Sequence, residues 1–330
     1  MSEERKESPA TGVSRRGFIR NSAAVGAAAA MTKHIPASFA KSGPEEIRVG
    51  LIGCGGRGTG AAGNTMSSAE NVHVVAMADA FEDRLASSRD NLNKDESLKG
   101  KFLVEDDRCF VGFDAYKELL ALDDVNMVIL ATPPGFRPYH LAAAVEAGKH
   151  IFAEKPFGVD PTAIRLAIDA SRKADEKGLK IVGGTQRRHQ DHYLAAMKHV
   201  HNGDLGKVIS MNVYWNGSPL WYHRPGPDWS EMENQMRNWY YYNWLCGDHI
   251  VEQHVHNLDV GNWAMMDKTP VRCWGMGGRQ LRTDPRFGEI FDHFAIEFEY
   301  DDGTVMTSQC RQMKNCKNDV REAIFCQNGT

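Results

Sequence analysis

The chain has 330 residues, of which 42% are hydrophobic and 25% are charged, an ordinary balance for a soluble globular protein of about two domains. Its formal net charge of -4, without any long basic block, offers no positive face to nucleic acid, so DNA and RNA are discounted as partners. Seven cysteines are scattered without a CxxC pair. Neither a zinc ribbon nor a disulfide framework is therefore predicted, and reduced thiols are expected.

Residues 1–40 have the anatomy of an export signal. Arg15-Arg16 lie just before Phe18, an alanine-rich apolar stretch covers 23–31, and Ser38-Phe39-Ala40 offers small residues to a signal peptidase. The apolar stretch is shorter than the roughly 20 residues that span a bilayer, so stable membrane insertion is not expected. Paired arginines indicate the twin-arginine export route, and we expect a periplasmic location in a bacterium. An amphipathic or disordered arm that happens to contain two arginines is the alternative.

Short β-branched runs alternate with helical segments between residues 41 and 185. Asp114 is expected to cap one of the helices, and Gly148 and Gly178 to end two others. Such alternation is typical of a doubly wound parallel sheet with helices on both faces, so this α/β segment is predicted to be a Rossmann domain. The expected elements are strands 46–53, 71–78, 125–131, 150–153 and 180–183 and helices 57–68, 115–122, 139–147 and 161–177.

The pattern changes after residue 186, where one helix is followed by runs typical of antiparallel strands. Asp301-Asp302-Gly303 is a hairpin turn signal between the last two runs. Residues 186–330 are therefore predicted to form an α+β domain with a mostly antiparallel sheet. The ending Gln327-Asn328-Gly329-Thr330 resembles a turn entering another strand, which leaves open an incomplete second domain. The expected elements are helix 193–201 and strands 208–215, 272–275, 293–300 and 304–309.

The run Gly53-Cys54-Gly55-Gly56-Arg57-Gly58 fits the pattern G-x-G-x-x-G between a predicted strand and a predicted helix. In this pattern Gly53 makes the tight turn, Gly55 lets the backbone approach a pyrophosphate, and Gly58 permits close packing of helix and strand. The free N–H groups and the dipole of the following helix also favour phosphate. These residues therefore predict a dinucleotide-binding turn rather than a mere glycine-rich loop.

Asp79 ends the next predicted strand at the spacing that is usual for a ribose-binding acid. Its carboxylate would accept hydrogen bonds from the adenosine ribose hydroxyls and would repel a 2′-phosphate. Ala80-Phe81 follow directly and carry no positive charge. NAD is therefore the expected cofactor, and NADP is disfavoured.

Residues 131–156, ATPPGFRPYHLAAAVEAGKHIFAEKP, closely resemble the glucose-fructose oxidoreductase, inositol dehydrogenase and rhizopine-catabolism family, called Gfo/Idh/MocA. The shared features are Thr132-Pro133 at a strand end, His140 in the next helix, and the tripeptide Glu154-Lys155-Pro156. The resemblance implies that Lys155 lies between nicotinamide and substrate, that Glu154 contacts the nicotinamide ribose, and that the Thr-Pro loop borders the cofactor. A lysine at the carboxyl end of a parallel strand can stabilise developing alkoxide charge. A solvated surface lysine is the alternative.

Residues 247–259, GDHIVEQHVHNLD, resemble the second signature of the same family, with Glu252 in place of the usual aspartate. On one helix, Glu252, His256 and Asp259 would share a face, so that a carboxylate orients the imidazole. His256 is then the candidate general base, and Glu252 a catalytic partner whose longer side chain makes its role less defined. Asp259 is a substrate-site candidate.

A catalytic metal is the rival interpretation of this histidine-rich segment. His249, Glu252, His254 and His256 carry imidazole and carboxylate groups that could act as ligands. No HExxH arrangement is present, and His254 and His256 would point to different faces of a helix. No metal is therefore expected.

The remaining candidates line the second predicted domain or its start. Gln186 and Arg188 follow the last Rossmann strand, where the family resemblance implies an arginine near nicotinamide and substrate. Trp221 and Arg224 belong to an aromatic-rich stretch, 215–244, that could present flat surfaces to a sugar. Core packing or a subunit interface is an equally good interpretation for most of its aromatic residues.

The family resemblance implies reversible hydride transfer from a secondary alcohol carbon of a sugar, sugar acid or cyclitol to NAD. A second interpretation is an NAD-retaining glycosidase, in which transient oxidation at C3 drives elimination of a glycosidic group. A sugar-sensing protein without catalysis is the third, although related regulators often lack the equivalents of Lys155 and His256. The resemblance also implies a homo-oligomer, a dimer or tetramer, paired through the exposed faces of the second-domain sheets.

Overall fold

Six apolar strands form a parallel sheet in the first half of the chain, in the order β3-β2-β1-β4-β5-β6. The computed structural model describes residues 45–330. The predicted export signal, 1–40, lies outside these residues. The strand order reverses between β1 and β4, and this reversal is where ligands bind in open α/β sheets. The strands are β1 (Ile47–Ile52), β2 (Val72–Asp79), β3 (Cys109–Val111), β4 (Met127–Leu130), β5 (His150–Ala153) and β6 (Ile181–Gly183).

Helices cover both faces of this sheet, and two clusters of buried apolar residues fill the space between the layers. The predicted doubly wound Rossmann fold is confirmed. Gly148 and Gly178 have φ values of 70° and 71° just beyond two of the helices, as expected for left-handed helix ends. Asp114 occupies the predicted N-cap position, but its side chain makes no capping hydrogen bond and instead pairs with Lys117 at 2.8 Å. The helices are α1 (Gly56–Ser68), α2 (Glu82–Asn93), α3 (Ala115–Leu120), α4 (Arg137–Glu146) and α5 (Pro161–Glu176).

A five-stranded sheet follows, in the order β11-β7-β10-β9-β8, and a third apolar cluster packs between it and two of the helices. The mostly antiparallel α+β arrangement is confirmed. The strands are β7 (Val208–Gly217), β8 (Arg272–Gly278), β9 (His293–Glu299), β10 (Val305–Gln312) and β11 (Asp319–Cys326). The helices are α6 (Asp191–His201), α7 (Glu231–Arg237), α8 (Asn243–Cys246), α9 (Asp248–Glu252) and α10 (Val255–Ala264).

One strand pair departs from the antiparallel prediction, because β10 runs parallel to β7. The long segment between them crosses from one end of the sheet to the other before β9 and β10 form their hairpin. β11 then pairs antiparallel with the other edge of β7. Its charged residues interrupt the apolar run, and it was not among the predicted strands.

The single helix predicted through Glu252 and His256 is wrong. Gln253 and His254 both donate their N–H groups to the carbonyl of His249, at 3.1 and 3.0 Å, which makes a turn wider than an α-helical one. The phase of the helix shifts at this turn. Glu252 therefore ends α9, whereas His256 lies in the first turn of a separate helix, α10.

No helix in residues 45–330 combines the length and apolar character that crossing a bilayer requires. All seven cysteines are free thiols, and Cys54, Cys246 and Cys310 are buried.

Candidate active site

The glycine turn combines tight packing with open space. Gly53 has φ of 97°, and a Cβ there would lie 2.6 Å from the backbone of Ala131. A Cβ on Gly58 would collide with the Gly53 carbonyl, so helix α1 can approach the turn only without a side chain at this position. By contrast, nothing lies within 4 Å of a Cβ built on Gly55 or Gly56. The turn therefore leaves room for a ligand directly above its backbone.

Asp79 lies beside this turn at the end of β2. Its Oδ2 accepts the N–H of Cys54 at 2.6 Å, and its Oδ1 accepts the N–H of Phe81 at 2.9 Å. Burial raises the pKa of Asp79 above its usual value, against the lowering effect of these two hydrogen bonds. The two bonds fix the orientation of the carboxylate at the edge of the cleft.

The turn and Asp79 line a cleft of about 450 Å³. Helix α1 begins at the cleft, and its N-cap residue Gly55 makes no side-chain capping bond, so its first N–H groups are available to a phosphate. The open space, the uncapped helix and the acidic residue together fit a dinucleotide. The strand-end part of the wall includes Gly53, Gly55, Gly56, Arg57, Asp79, Phe81, Arg84, Tyr116, Thr132, Pro133 and His140.

The Thr132-Pro133 loop is held from behind by His140 and Arg137. The hydroxyl of Thr132 lies 3.1 Å from Nδ1 of His140, whose ring packs 4.2 Å from that of Tyr116. Burial, with a smaller contribution from Arg137, lowers the pKa of His140 to about 4, so the imidazole is neutral near pH 7. His140 thus supports the cleft wall as a neutral hydrogen-bonding group.

Arg137 was not identified from the sequence. It is 2% exposed, and its guanidinium donates to the carbonyls of Leu130 at 2.8 Å and Glu154 at 2.7 Å and also to that of Thr132. These carbonyls belong to the ends of β4 and β5, so Arg137 ties the two cofactor loops together. Burial lowers its pKa to about 10, against the opposing effect of Glu154 and Glu252.

Glu154 and Lys155 point to different partners. Glu154 is 4% exposed and accepts a hydrogen bond from Nε of Arg57 at 2.6 Å. Nζ of Lys155 donates to Oε1 of Glu252 at 2.7 Å and also to the Glu252 carbonyl. Lys155 and Glu252, 97 residues apart, thereby join the Rossmann domain to the second sheet domain.

Tyr240 completes the surroundings of Glu252. It is 4% exposed, and burial together with the nearby Glu252 carboxylate raises the pKa of its hydroxyl well above the usual value. The hydroxyl also accepts from Nε2 of Gln312 at 3.4 Å, and Gln312 donates to Gln253 at 2.9 Å. Tyr240 belongs to the aromatic-rich stretch 215–244, in which its contact with Glu252 was not predicted.

His256 is 7% exposed and stacks on Trp215, with ring centroids 5.8 Å apart and planes 25° apart. Its Nδ1 is buried without a hydrogen-bond partner. The guanidinium of Arg187 lies over the ring of Trp215, with Cζ 5.5 Å from the ring centroid. Neither Glu252 nor Asp259 orients the imidazole, because each carboxylate is engaged elsewhere. Aromatic stacking takes the place of the predicted carboxylate.

Three nearby cations affect the pKa of His256. Burial, and then the charges of Lys155, Arg187 and Arg57, lower its pKa to about 3. The imidazole is therefore neutral at physiological pH. The cleft described above ends before Lys155 and His256, and Arg57 connects the two regions because it lines the cleft and also affects the charge state of His256.

Arg188 and Asp259 are held by each other. Nε and Nη2 of Arg188 lie 2.8 to 3.0 Å from the Asp259 carboxylate, and Nη2 also donates to Asp267 at 2.6 Å. Their predicted contact with substrate stays a prediction, as does that of Arg224, which is exposed. Gln186 is also exposed and lies outside the cleft lining, whereas Trp221 lines it.

The histidine side chains of this segment do not converge on a common point. His254 donates or accepts at the hydroxyl of Ser308 at 2.8 Å, and His249 packs 5.1 Å from the ring of Phe294. Within residues 45–330, no three His, Cys, Asp or Glu side chains come together as metal ligands. The described part of the chain therefore gives no support to a catalytic metal.

Comparison with known proteins agrees with this geometry in both halves of the chain. A profile described as the oxidoreductase family, NAD-binding Rossmann fold, matches residues 47–182. The GFO/IDH/MocA C-terminal domain profile matches residues 193–330. The chain belongs to the Gfo/Idh/MocA oxidoreductase family. Its first domain is accordingly an NAD(P)-binding Rossmann domain.

Individual Gfo/Idh/MocA relatives are distant. Over 248 residues the chain is 27% identical to a glycosyl hydrolase family 109 protein of Shewanella amazonensis, covering 69% of this chain and 50% of that protein. It is 23% identical to an inositol 2-dehydrogenase of Corynebacterium glutamicum, covering 51% of this chain and 44% of that protein. The chain thus spans half or less of the length of these curated relatives.

Solved Gfo/Idh/MocA structures share the fold. The scyllo-inositol dehydrogenase of Lactobacillus casei, solved with bound NAD(H) and scyllo-inositol, superposes with a TM-score of 0.65 at 20% identity. The match covers 86% of this chain and 75% of that one. The likeness extends over the Rossmann domain and most of the second domain.

Proposed function

We propose that this protein transfers a hydride between a secondary alcohol carbon of a sugar, sugar acid or cyclitol and NAD. The observation that carries the proposal is the Lys155–Glu252 ion pair beside a cleft that has room for a dinucleotide, together with a neutral His256 on which the charge of Lys155 acts. A bound nicotinamide supplies the hydride acceptor. The alcohol loses its C–H hydride and its O–H proton and becomes a carbonyl.

Lys155 and His256 have different roles at the alcohol oxygen: one stabilises negative charge and the other accepts the proton. Lys155 holds a positive charge where alkoxide charge develops, and Glu252 fixes its ammonium at 2.7 Å. We assign the hydroxyl proton to His256, whose imidazole is neutral and stacks on Trp215. Because its lowered pKa makes the imidazole a weak base, the positive charge of Lys155 must make the alcohol more acidic for this transfer. Arg137 keeps the loops that end β4 and β5 in a single arrangement.

NAD is the proposed cofactor because Asp79 is fixed at the cleft edge, where it would accept ribose hydroxyls and repel a 2′-phosphate. Arg84, in the first turn of α2, lines the same wall and provides a positive charge that Ala80-Phe81 lack. Replacing Asp79 with glycine should therefore shift the preference towards NADP, which titration of both nucleotides would measure.

A glycosidase that retains NAD is the second candidate. It is favoured by the similarity to the Shewanella amazonensis glycosyl hydrolase family 109 protein over 69% of this chain. In this reaction Lys155 and His256 would act on a transient ketone, and the same hydride would return to the sugar. Net cofactor turnover is then unnecessary.

We further propose that Arg15-Arg16 direct export by the twin-arginine route. That route carries folded proteins, so a nucleotide bound in the cytoplasm would accompany the enzyme. A tightly held cofactor suits either candidate reaction outside the cell, and the glycosidase most of all.

Native mass spectrometry of the purified protein, followed by a screen of sugars, inositols and chromogenic glycosides, tests these proposals. Copurified NAD and reduction of nicotinamide by an alcohol substrate would support the dehydrogenase. Release of sugar from a glycoside without added cofactor would support the glycosidase instead. A protein that binds no nucleotide would contradict both.

A further inference from the structure

One wall of the nucleotide cleft comes from the second domain. Residues 221–239, which we name the cover segment, face the same space as the glycine turn and Asp79. The segment includes α7 and the turn that follows it. Its cleft-lining side chains are Trp221, His223, Met236, Arg237 and Trp239.

Arg237 binds the cover segment to the Rossmann domain. Its Nη1 and Nη2 lie 2.9 and 2.8 Å from the two carboxylate oxygens of Asp83, in the first turn of α2. Its Nε donates to Glu233 at 2.8 Å, within α7. A bidentate contact of this kind restricts both distance and orientation. The pair joins residues 154 positions apart in the chain.

Aromatic rings surround the same guanidinium. Cζ of Arg237 lies 4.1 Å from the ring centroid of Phe81 and 4.8 Å from that of Trp229. Phe81 belongs to the Rossmann domain and Trp229 to the cover segment, so the cation contacts an aromatic ring of each domain. The Arg237 side chain is only 11% exposed, which strengthens both kinds of contact.

These contacts lie at one particular end of the cleft. Asp79 ends β2, where the ribose of an adenosine is bound in a Rossmann fold, and Phe81 is two residues further on. The anchor therefore lies at the adenosine end, away from Lys155 and His256. Trp221 and His223 of the cover segment also line the cleft, with ring centroids 4.7 Å apart.

We propose that the cover segment is the second wall of the adenosine subsite and that the Arg237–Asp83 pair holds it closed. This inference rests on the proposed NAD-dependent function. Dissociation of the nucleotide then requires the pair to break, so the protein keeps its cofactor through many turnovers. Asp83 is 61% exposed at its side chain, so salt reaches the pair and weakens it.

Release of NADH tests the anchor without reference to catalysis. Protein loaded with NADH is mixed with excess NAD, and the loss of bound-NADH fluorescence gives the dissociation rate at low and high salt. Asp83→Asn and Arg237→Lys should each raise this rate about tenfold, because both lose the bidentate contact. Asp83→Glu should keep release slow. Wild-type release should accelerate with salt, whereas release from Asp83→Asn should not.

Arg172→Ala is the matched control, because Arg172 forms an exposed ion pair with Asp169 on α5. It should release NADH at the wild-type rate, and thermal melting should show all variants folded. Release at the wild-type rate from both Asp83→Asn and Arg237→Lys would overturn the anchor while leaving the proposed function intact. Failure of the wild-type protein to bind NADH would overturn both.

Discussion

The Lys155 ammonium and the Glu252 carboxylate form a largely buried ion pair, with Nζ 2.7 Å from Oε1. Lys155 follows β5 of the Rossmann domain, and Glu252 ends α9 of the second domain. Their contact brings the end of the parallel sheet against the segment that carries His256. The Glu252 carboxylate thus forms its ion pair with Lys155 and does not orient His256. The orientation of the His256 ring instead depends on stacking against Trp215.

Lys155→Ala should reduce kcat by roughly 100-fold to 1000-fold, because it removes the charge that stabilises the alkoxide. Binding of NADH should change little, since the cleft lining does not include Lys155. Steady-state kinetics on a substrate found by the screen, together with NADH titration, would check both statements. Lys173→Ala, which removes an exposed lysine of α5, is the control and should keep wild-type kinetics. Equal loss in both variants would contradict the assigned role.

Two glycine substitutions should separate nucleotide binding from folding. Gly55→Val places its side chain in open space, so we expect an unchanged melting temperature and a large loss of NADH affinity. Gly58→Ala brings a Cβ against the Gly53 carbonyl and should lower the melting temperature itself. Differential scanning calorimetry and NADH titration give the two readouts. Unimpaired NADH binding by Gly55→Val would show that no phosphate lies above the turn.

Arg187 should control the acid limb of the pH profile through His256. Burial and the nearby cations hold the pKa of His256 at about 3, so its neutral form persists well into the acidic range. Arg187→Gln removes one cation, and the pKa should rise towards its usual value of about 6.5. Activity would then fall at a higher pH than in the wild-type protein. The profile of kcat/KM against pH measures this shift.

Glu322→Gln is the opposite-charge control for the previous variant, because Glu322 is the ion-pair partner of Arg187. Removing its negative charge should leave the acid limb where it is or move it lower. An upward shift in both variants would indicate a general loss of structure. No shift in Arg187→Gln would contradict the electrostatic coupling to His256.

Acid should destabilise the fold through its buried histidines. Burial lowers the pKa of His249, His254 and His256 each to about 3, whereas an unfolded histidine titrates near 6.5. Between these values the unfolded chain binds more protons, so stability falls as the pH drops below about 6.5. His140, whose pKa is lowered to about 4, adds to the effect of these three histidines. Asp248, whose pKa is raised to about 6, and Asp79, whose pKa is also raised, act in the opposite sense.

His254→Asn should reduce this acid sensitivity, because it removes one of the three buried groups. The change in urea midpoint between neutral and acidic pH should be smaller than in the wild-type protein. His199→Asn, which removes an exposed histidine paired with Asp204, is the control for loss of an imidazole outside the core. Identical pH dependence in the His254 variant would contradict the sign argument.

An exposed apolar strand is the expected oligomer contact. Trp274 and Met276 point to the same face of β8 and are 45% and 81% exposed. Met276→Lys should shift the protein towards monomers in light scattering. Ile168→Lys, on α5 and 45% exposed, should leave the assembly unchanged. A monomeric wild-type protein would contradict the expectation.

Local signals in the sequence were sufficient for the fold class of the Rossmann domain, although β3 and α2 were not among the predicted elements. The glycine turn, Asp79 and the apolar strands are short patterns whose geometry follows from neighbouring residues. The break in the helix near Gln253 was different, because it depends on how His249 shares its carbonyl. No periodicity in the sequence indicates such a bond.

Contacts between distant segments could not be predicted. In the sequence, Arg237 is an arginine of an aromatic-rich stretch with no sign of a partner. In the structure it contacts Asp83. Arg137 likewise reads as an ordinary first-turn residue of α4, whereas the structure buries it against three loop carbonyls. Such residues gain their roles only from the packing of whole elements.

Isotope transfer tests the central claim most directly. The protein is incubated with carbon-deuterated sugars, inositols and glycosides, and the nucleotide released on denaturation is weighed by mass spectrometry. In samples denatured during turnover, while the cofactor is reduced, deuterium should appear in the nicotinamide of the wild-type protein, whether the reaction is a net oxidation or a glycoside cleavage. With Lys155→Ala the label should appear at least about 100-fold more slowly. A wild-type protein that binds both nucleotide and sugar without any label transfer would contradict the hydride-transfer function.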